Sequence, residues 1–95
     1  MPTLADIKER AVPILRDNNA TEAYVFGSVA RNEAGPESDV DILVRFGEPR
    51  GGLFEFIHTK HELEDALGHK VDLVEMGALR KEFRPYVDKD KVRIL

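Results

Sequence analysis

Apolar residues recur along this chain with two different periods, and the period separates prospective helices from strands. Leu4, Ile7, Ala11 and Ile14 fall at helical spacing behind Thr3, a good N-cap residue, and Asn18-Asn19 supply a stop. Pro13 lies inside this helix, where a proline costs about 3 kcal/mol in a straight interior, so a kink or break is expected there. Residues 23–26 (Ala-Tyr-Val-Phe) form a short β-prone run that halts at Gly27-Ser28, and residues 29–32 suit a short helix before a loop containing Gly35, Pro36 and Ser38. From 39 to 46 the residues alternate, with Val40, Ile42, Val44 and Phe46 on one face and Asp39, Asp41, Leu43 and Arg45 on the other. After a loop with Gly47, Pro49, Gly51 and Gly52, Leu53–Leu67 reads as a second amphipathic helix ended by Gly68. Its apolar stripe runs through Leu53, Phe56, Ile57, Leu63 and Leu67, interrupted by Lys60. Residues 71–76 predict a third strand, with Asp72 on the face opposite Val71 and Leu73. A last helix is expected at about 78–87, and residues 92–95 read as an edge strand. No internal repeat or low-complexity stretch is visible.

Composition narrows the picture. Ninety-five residues are read as one compact domain, 1–95, with too little apolar area for a second core. Absence of cysteine excludes disulfides, thiolate zinc sites and cysteine nucleophiles and fits a reducing cytoplasm, which is the expected location. Apolar runs are far shorter than the roughly 18 residues that would span a bilayer, so no membrane role is expected, and the first ten residues lack the order of a secretion signal. Fourteen basic against eighteen acidic residues give a net charge of -4, which argues against strong nucleic-acid binding through phosphates. The charge is uneven. From Arg80 onward Arg80, Lys81, Arg84, Lys89, Lys91 and Arg93 outnumber Glu82, Asp88 and Asp90, leaving this stretch +3 and the remainder -7. A solvated helix face accounts for that, and so does a surface for an acidic partner.

Three aspartates occupy strands otherwise built from apolar residues, where an unpaired carboxylate is costly to bury. Asp39 and Asp41 are two apart on one strand and share a face, their Cα atoms roughly 6.6 Å apart. Asp72 completes a triangle if its strand neighbours theirs at about 4.8 Å. Three clustered negative charges repel, and a hard divalent cation offsets that repulsion, with all-oxygen ligation suiting Mg²⁺ or Mn²⁺. Gly27-Ser28 ends its strand whereas Asp39, Asp41 and Asp72 begin theirs. All can therefore meet only if the first two strands are antiparallel and the second and third parallel, the latter joined by the crossover helix Leu53–Leu67. The fold class is therefore α+β, a small mixed sheet with helices on one face and carboxylates on the other. Ser28 and the amides after it stand at a helix start, which favours phosphate, and glycine permits close approach. Phosphate pocket and metal site together suggest a nucleoside triphosphate.

Gly27-Ser28, ten intervening residues and Asp39-Val40-Asp41 resemble the signature of the DNA polymerase β-like nucleotidyltransferase superfamily, with Asp72 where its third carboxylate falls. The wider run from Phe26 to Arg31 followed by Ser38 to Val44 is similar to the minimal nucleotidyltransferase (MNT) proteins, and the likeness covers nearly the whole chain. The resemblance implies a polymerase β-like fold and transfer of AMP from ATP onto a tyrosine of a HEPN-domain ribonuclease toxin, the chain being the antitoxin in a hetero-oligomer. It also implies two Mg²⁺ ions about 4 Å apart, held by Asp39, Asp41 and Asp72. Gly27 and Ser28 would hold the β- and γ-phosphates, and Asp72 would help to deprotonate the acceptor. Arg31, one turn beyond Ser28, is placed to contact phosphate or to pair with Glu33 or Glu37.

Plainer readings stand beside these. His58 and His61 share a helix face without a third ligand and are read, with His69, as surface or partly buried residues. Phe54, Phe56 and Phe83 suit core or partner-facing packing, and ordinary packing is the default for Tyr24 and Tyr86, with acceptance of self-modification as the alternative. The competing function is a non-catalytic antitoxin or nucleotide-binding subunit that occludes its partner. Occlusion alone needs none of the three aspartates. Transfer onto RNA or a small molecule is disfavoured by charge and size.

Overall fold

The computed structural model describes residues 2–49 and 51–95. The first helix, α1 (Leu4–Asp17), begins with a reciprocal capping box: the Asp6 amide donates to Thr3 Oγ1 at 3.1 Å, and the Thr3 amide donates to the Asp6 carboxylate at 3.2 Å. Pro13 does not end it. The ring lies on the exposed side, where water can take the Glu9 carbonyl that lacks an amide partner, and the helix continues to Asp17. Asn18 then donates its side-chain amide to the Ile14 carbonyl at 2.8 Å, and Asn19, with φ of 67°, turns the chain into β1 (Ala20–Phe26). This strand starts three residues earlier than its apolar run predicts, because a register shift between Ala20 and Glu22 lets the polar stretch pair as well.

A one-turn helix, α2 (Gly27–Ala30), and a loop lead to β2 (Val40–Phe46), which pairs antiparallel with β1. The crossover helix α3 (Leu53–Leu67) leads to β3 (Val71–Glu75), parallel to β2 as the topology argument requires. A 3₁₀ turn (Met76–Ala78) precedes α4 (Arg84–Asp90), and β4 (Val92–Arg93) returns antiparallel to β1. The sheet order is β3-β2-β1-β4, so β3 and β4 are edges. The expected helix at 78–87 is thus displaced toward the C-terminal side. Pro85 has no N–H and fits only a first turn, which sets the start of α4.

The core fills the space between one sheet face and two helices. Ile7, Ala11 and Leu15 of α1 and Leu63 and Leu67 of α3 pack on Ala23, Val25, Val40, Ile42, Val44, Val71 and Leu73. The stripe of α3 differs from its sequence reading: Leu53 is 70% and Ile57 38% exposed, while Thr59 is buried. The buried row runs Phe56, Thr59, Leu63, Leu67, and Thr59 fits because its hydroxyl donates to the Glu55 carbonyl at 2.8 Å. Near the edge, the Val71 amide donates to the Glu64 carboxylate at 3.0 Å. The opposite sheet face carries Tyr24, Phe26, Asp41, Leu43, Asp72 and Val74, which strand alternation and register set side by side. Helices α1 and α3 cover one face as expected, and the short α4 is added at the border of the other. Its Val87 is buried and lines a cavity with Asp72 and Val74.

Candidate active site

Gly27 joins the two halves of the site. It closes β1 and opens α2 with φ of +74°, a conformation that side chains resist. A Cβ at this position would stand 2.1 Å from Asp41 Oδ2, so the turn and the carboxylate occupy adjoining space. The cause is register: Phe26 is paired with Asp41 across β1 and β2, which sets the next residue of the turn against that carboxylate. The close approach expected of this glycine is therefore, within the protein itself, an approach to Asp41.

Asp41 and Asp72 are register partners in the parallel β2–β3 pair, so their side chains leave the same face of adjacent strands. Asp39 lies one residue before β2 and is exposed, as is Asp72, while Asp41 is partly buried. Burial, then the charges of Asp72 and Asp39, push the Asp41 carboxyl up to about 6, with Arg31 acting in the opposite direction. The three carboxylates therefore share one electrostatic environment. Among the described residues no three His, Cys, Asp or Glu side chains are already gathered into a ligand cage. Like charges in register repel and splay, and an oxygen-seeking divalent cation supplies what would draw them in. The donor set fits Mg²⁺ or Mn²⁺.

Ser28 sits in α2, partly buried, and its carbonyl accepts from the Glu33 amide at 2.8 Å. Arg31 caps the same turn. Its guanidinium donates to Glu33 at 3.0 Å and to Asp90 of α4 at 3.1 Å, so it belongs to an ion-pair network; Glu33 was an expected partner, while Asp90 takes the place of Glu37. Asp90 escaped sequence reasoning because its position depends on where α4 starts. The one available signal was Pro85. Phe26, Gly27, Arg31 and Asp72 line a cavity of about 530 Å³, with Leu79, Arg80, Phe83, Tyr86 and Asp90 on its far side.

Other candidates fall away from this cavity. His58 and His61 belong to α3, on the opposite side of the sheet, and His58 pairs with Glu62 at 2.8 Å. Tyr24 shares the carboxylate face, but its hydroxyl donates to Glu22. Lys91 and Arg93 stand 4.8 and 5.9 Å from its ring centroid. The Glu22 bond lowers that carboxyl's pKa and raises that of the tyrosine.

Residues 8–95 match the family model described as the nucleotidyltransferase domain. The chain belongs to that family. Its relatives place it among the minimal, MntA-like protein adenylyltransferases. A Methanocaldococcus jannaschii protein to which protein adenylyltransferase activity is ascribed is 37% identical over 90 residues, 95% of this chain and 96% of its own. The protein adenylyltransferase MntA of Thermococcus cleftensis is 42% identical over 73 residues, 77% of this chain and 73% of its own. A solved structure ascribed to a minimal nucleotidyltransferase superposes with a TM-score of 0.81 at 36% identity, covering 94% of this chain and 90% of the other. The fold also matches a chain in the complex of tri-AMPylated Shewanella oneidensis HEPN toxin with MNT antitoxin. That match has a TM-score of 0.72 at 22% identity, over 94% of this nucleotidyltransferase and 69% of that chain. The chemistry of the chain is therefore nucleotidyl transfer, and among the described residues no helix is long and apolar enough to cross a membrane.

Proposed function

We propose that this nucleotidyltransferase moves AMP from ATP onto a tyrosine hydroxyl of a HEPN-domain toxin and so acts as the antitoxin of a two-protein system. The observation that carries the reading is the meeting of Gly27 with Asp41, beside Asp72 in register. A phosphate-favouring turn and a metal-favouring carboxylate pair are thereby one site. The adenylyltransferase relatives support AMP as the group moved, and the S. oneidensis complex supports a HEPN partner.

Asp39, Asp41 and Asp72 would hold Mg²⁺, or Mn²⁺ in its place. When bound, the metal supplies positive charge that ionises Asp41 and stabilises charge on the phosphates. Gly27 and Ser28 orient the β- and γ-phosphates through the amides of the turn. Asp72, exposed on its edge strand, faces the incoming hydroxyl and takes its proton. The hydroxyl oxygen forms the new bond to the α-phosphorus, the bond to the bridging oxygen breaks, and pyrophosphate leaves. Preorganised dipoles and charges aimed at the leaving group would provide most of the acceleration. Arg31 answers charge on the same turn while Glu33 and Asp90 fix its direction.

Labelled ATP, Mg²⁺ and the HEPN-domain protein sought in the adjacent reading frame test this with wild type, Asp39→Asn and Asp41→Asn. Label on a toxin tyrosine with wild type alone is the expected result. Toxin silenced equally by all three proteins without ATP would replace transfer with occlusion.

A further inference from the structure

The cavity beside Asp72 has an outer wall that the chemistry above does not use. Phe83 and Tyr86 form part of it and are 53% and 72% exposed. Both belong to a segment anchored by the buried Val87 and by the Arg31–Asp90 bridge. Around them Arg80, Lys81, Arg84 and Lys89 are exposed and make no ion pair among the described residues. Asp88 and Asp90 are already engaged by Lys91 and Arg31, which leaves Glu82 as the acid of this stretch set against the four cations.

A macromolecule that presents a hydroxyl beside Asp72 meets this rim, because Phe83, Tyr86 and Arg80 line one cavity with Asp72 and Gly27. Exposed aromatics with arginine beside them are the residue types that dominate the centres of protein interfaces. The charge contrast adds direction: the stretch from Arg80 onward carries +3 on a body of -7, so an acidic segment is repelled elsewhere and attracted here. We propose that α4 and the residues leading into it are the acceptor dock. It takes a protein segment whose tyrosine is flanked by acidic residues. Phe83 and Tyr86 pack on the apolar part of that segment, and the four cations pair with its carboxylates. The inference rests on the protein-acceptor reading above and names the chemistry of that acceptor. A nucleic-acid acceptor carries a charge on every phosphate and is repelled by the acidic body along its whole length, whereas a protein segment carries acids only where the cations stand.

Short fluorescein-labelled peptides with a central tyrosine flanked by glutamates, twins carrying lysine instead, and a short RNA provide the probes. Each is titrated onto the intact protein with Mg²⁺ and AMP-PNP and read by fluorescence anisotropy. The glutamate peptide is expected to bind at least about tenfold tighter than its lysine twin and to weaken as salt rises. Lys81→Glu with Arg84→Glu reverses the preference, and Phe83→Ala with Tyr86→Ala weakens the glutamate peptide by about tenfold. Equal binding of the two peptides by wild type, an unchanged preference in the charge-reversed protein, or RNA bound more tightly than the glutamate peptide would each overturn the dock. Calorimetric titration with AMP-PNP separates the two readings. Peptide discrimination by a protein that takes no AMP-PNP strikes the transfer reading and leaves the dock standing, whereas AMP-PNP binding without peptide discrimination strikes the dock alone.

Discussion

Asp41 sits where stability and chemistry pull in opposite directions. Its folded-state pKa of about 6 lies above the ordinary 3.8, chiefly through burial, so ionising it costs the folded state free energy. The sign follows: the fold is relatively best off below pH 3.8, loses stability as pH rises to about 6, and changes no further above that. Asp41→Asn in chelator should therefore melt higher than wild type at pH 7.5, by about 1 kcal/mol after allowing for partial exposure, with no gain at pH 3.5. Melting curves at the two pH values check this. The same change should lower AMP transfer by roughly a hundredfold or more, measured with labelled ATP. Gly27 offers a paired test with Gly68, which has nearly the same backbone, φ +69°, but open space where a Cβ would go. Gly68→Ala is expected to cost about 1 kcal/mol and keep activity, whereas Gly27→Ala displaces the Asp41 carboxylate and abolishes transfer. Denaturant unfolding and the transfer assay distinguish them.

Elements were legible where one physical signal dominated. The run from Val40 to Val44 reads as a strand, and the crossover length of α3 permits a parallel β2–β3 pair, so the meeting of Asp41 with Asp72 could be anticipated. Where two signals compete the sequence is ambiguous. Leu53 and Ile57 have the hydropathy of core residues, yet the helix turns them outward because Thr59 satisfies its own hydroxyl and can be buried. Asp90 meets Arg31 only through the path of α4, for which Pro85 is a single local signal. Pro13 shows the limit from the other side. It breaks a propensity rule in α1 without breaking the helix, so Pro13→Ala should add a backbone bond to the Glu9 carbonyl and stabilise the protein by about 1–2 kcal/mol. Urea titration should show a higher midpoint with transfer unaltered.

At the scale of the molecule, the proposed cation site would link binding to folding. A divalent ion that requires ionised Asp41 stabilises only the folded protein and competes with protons for the carboxylate, so its effect must grow with pH. Mg²⁺ is expected to raise the melting temperature more at pH 7.5 than at pH 5, and to do so in wild type but not in Asp41→Asn, by thermal shift with and without the ion. The sheet order carries a separate consequence. Because β3 is outermost, with its first amide turned toward Glu64, a further strand can add along the border at Leu73 while Asp72 and Asp41 stay where they are. The framework can thus be broadened right next to the acids proposed to hold the metal, which makes this border a natural place to graft a recognition module.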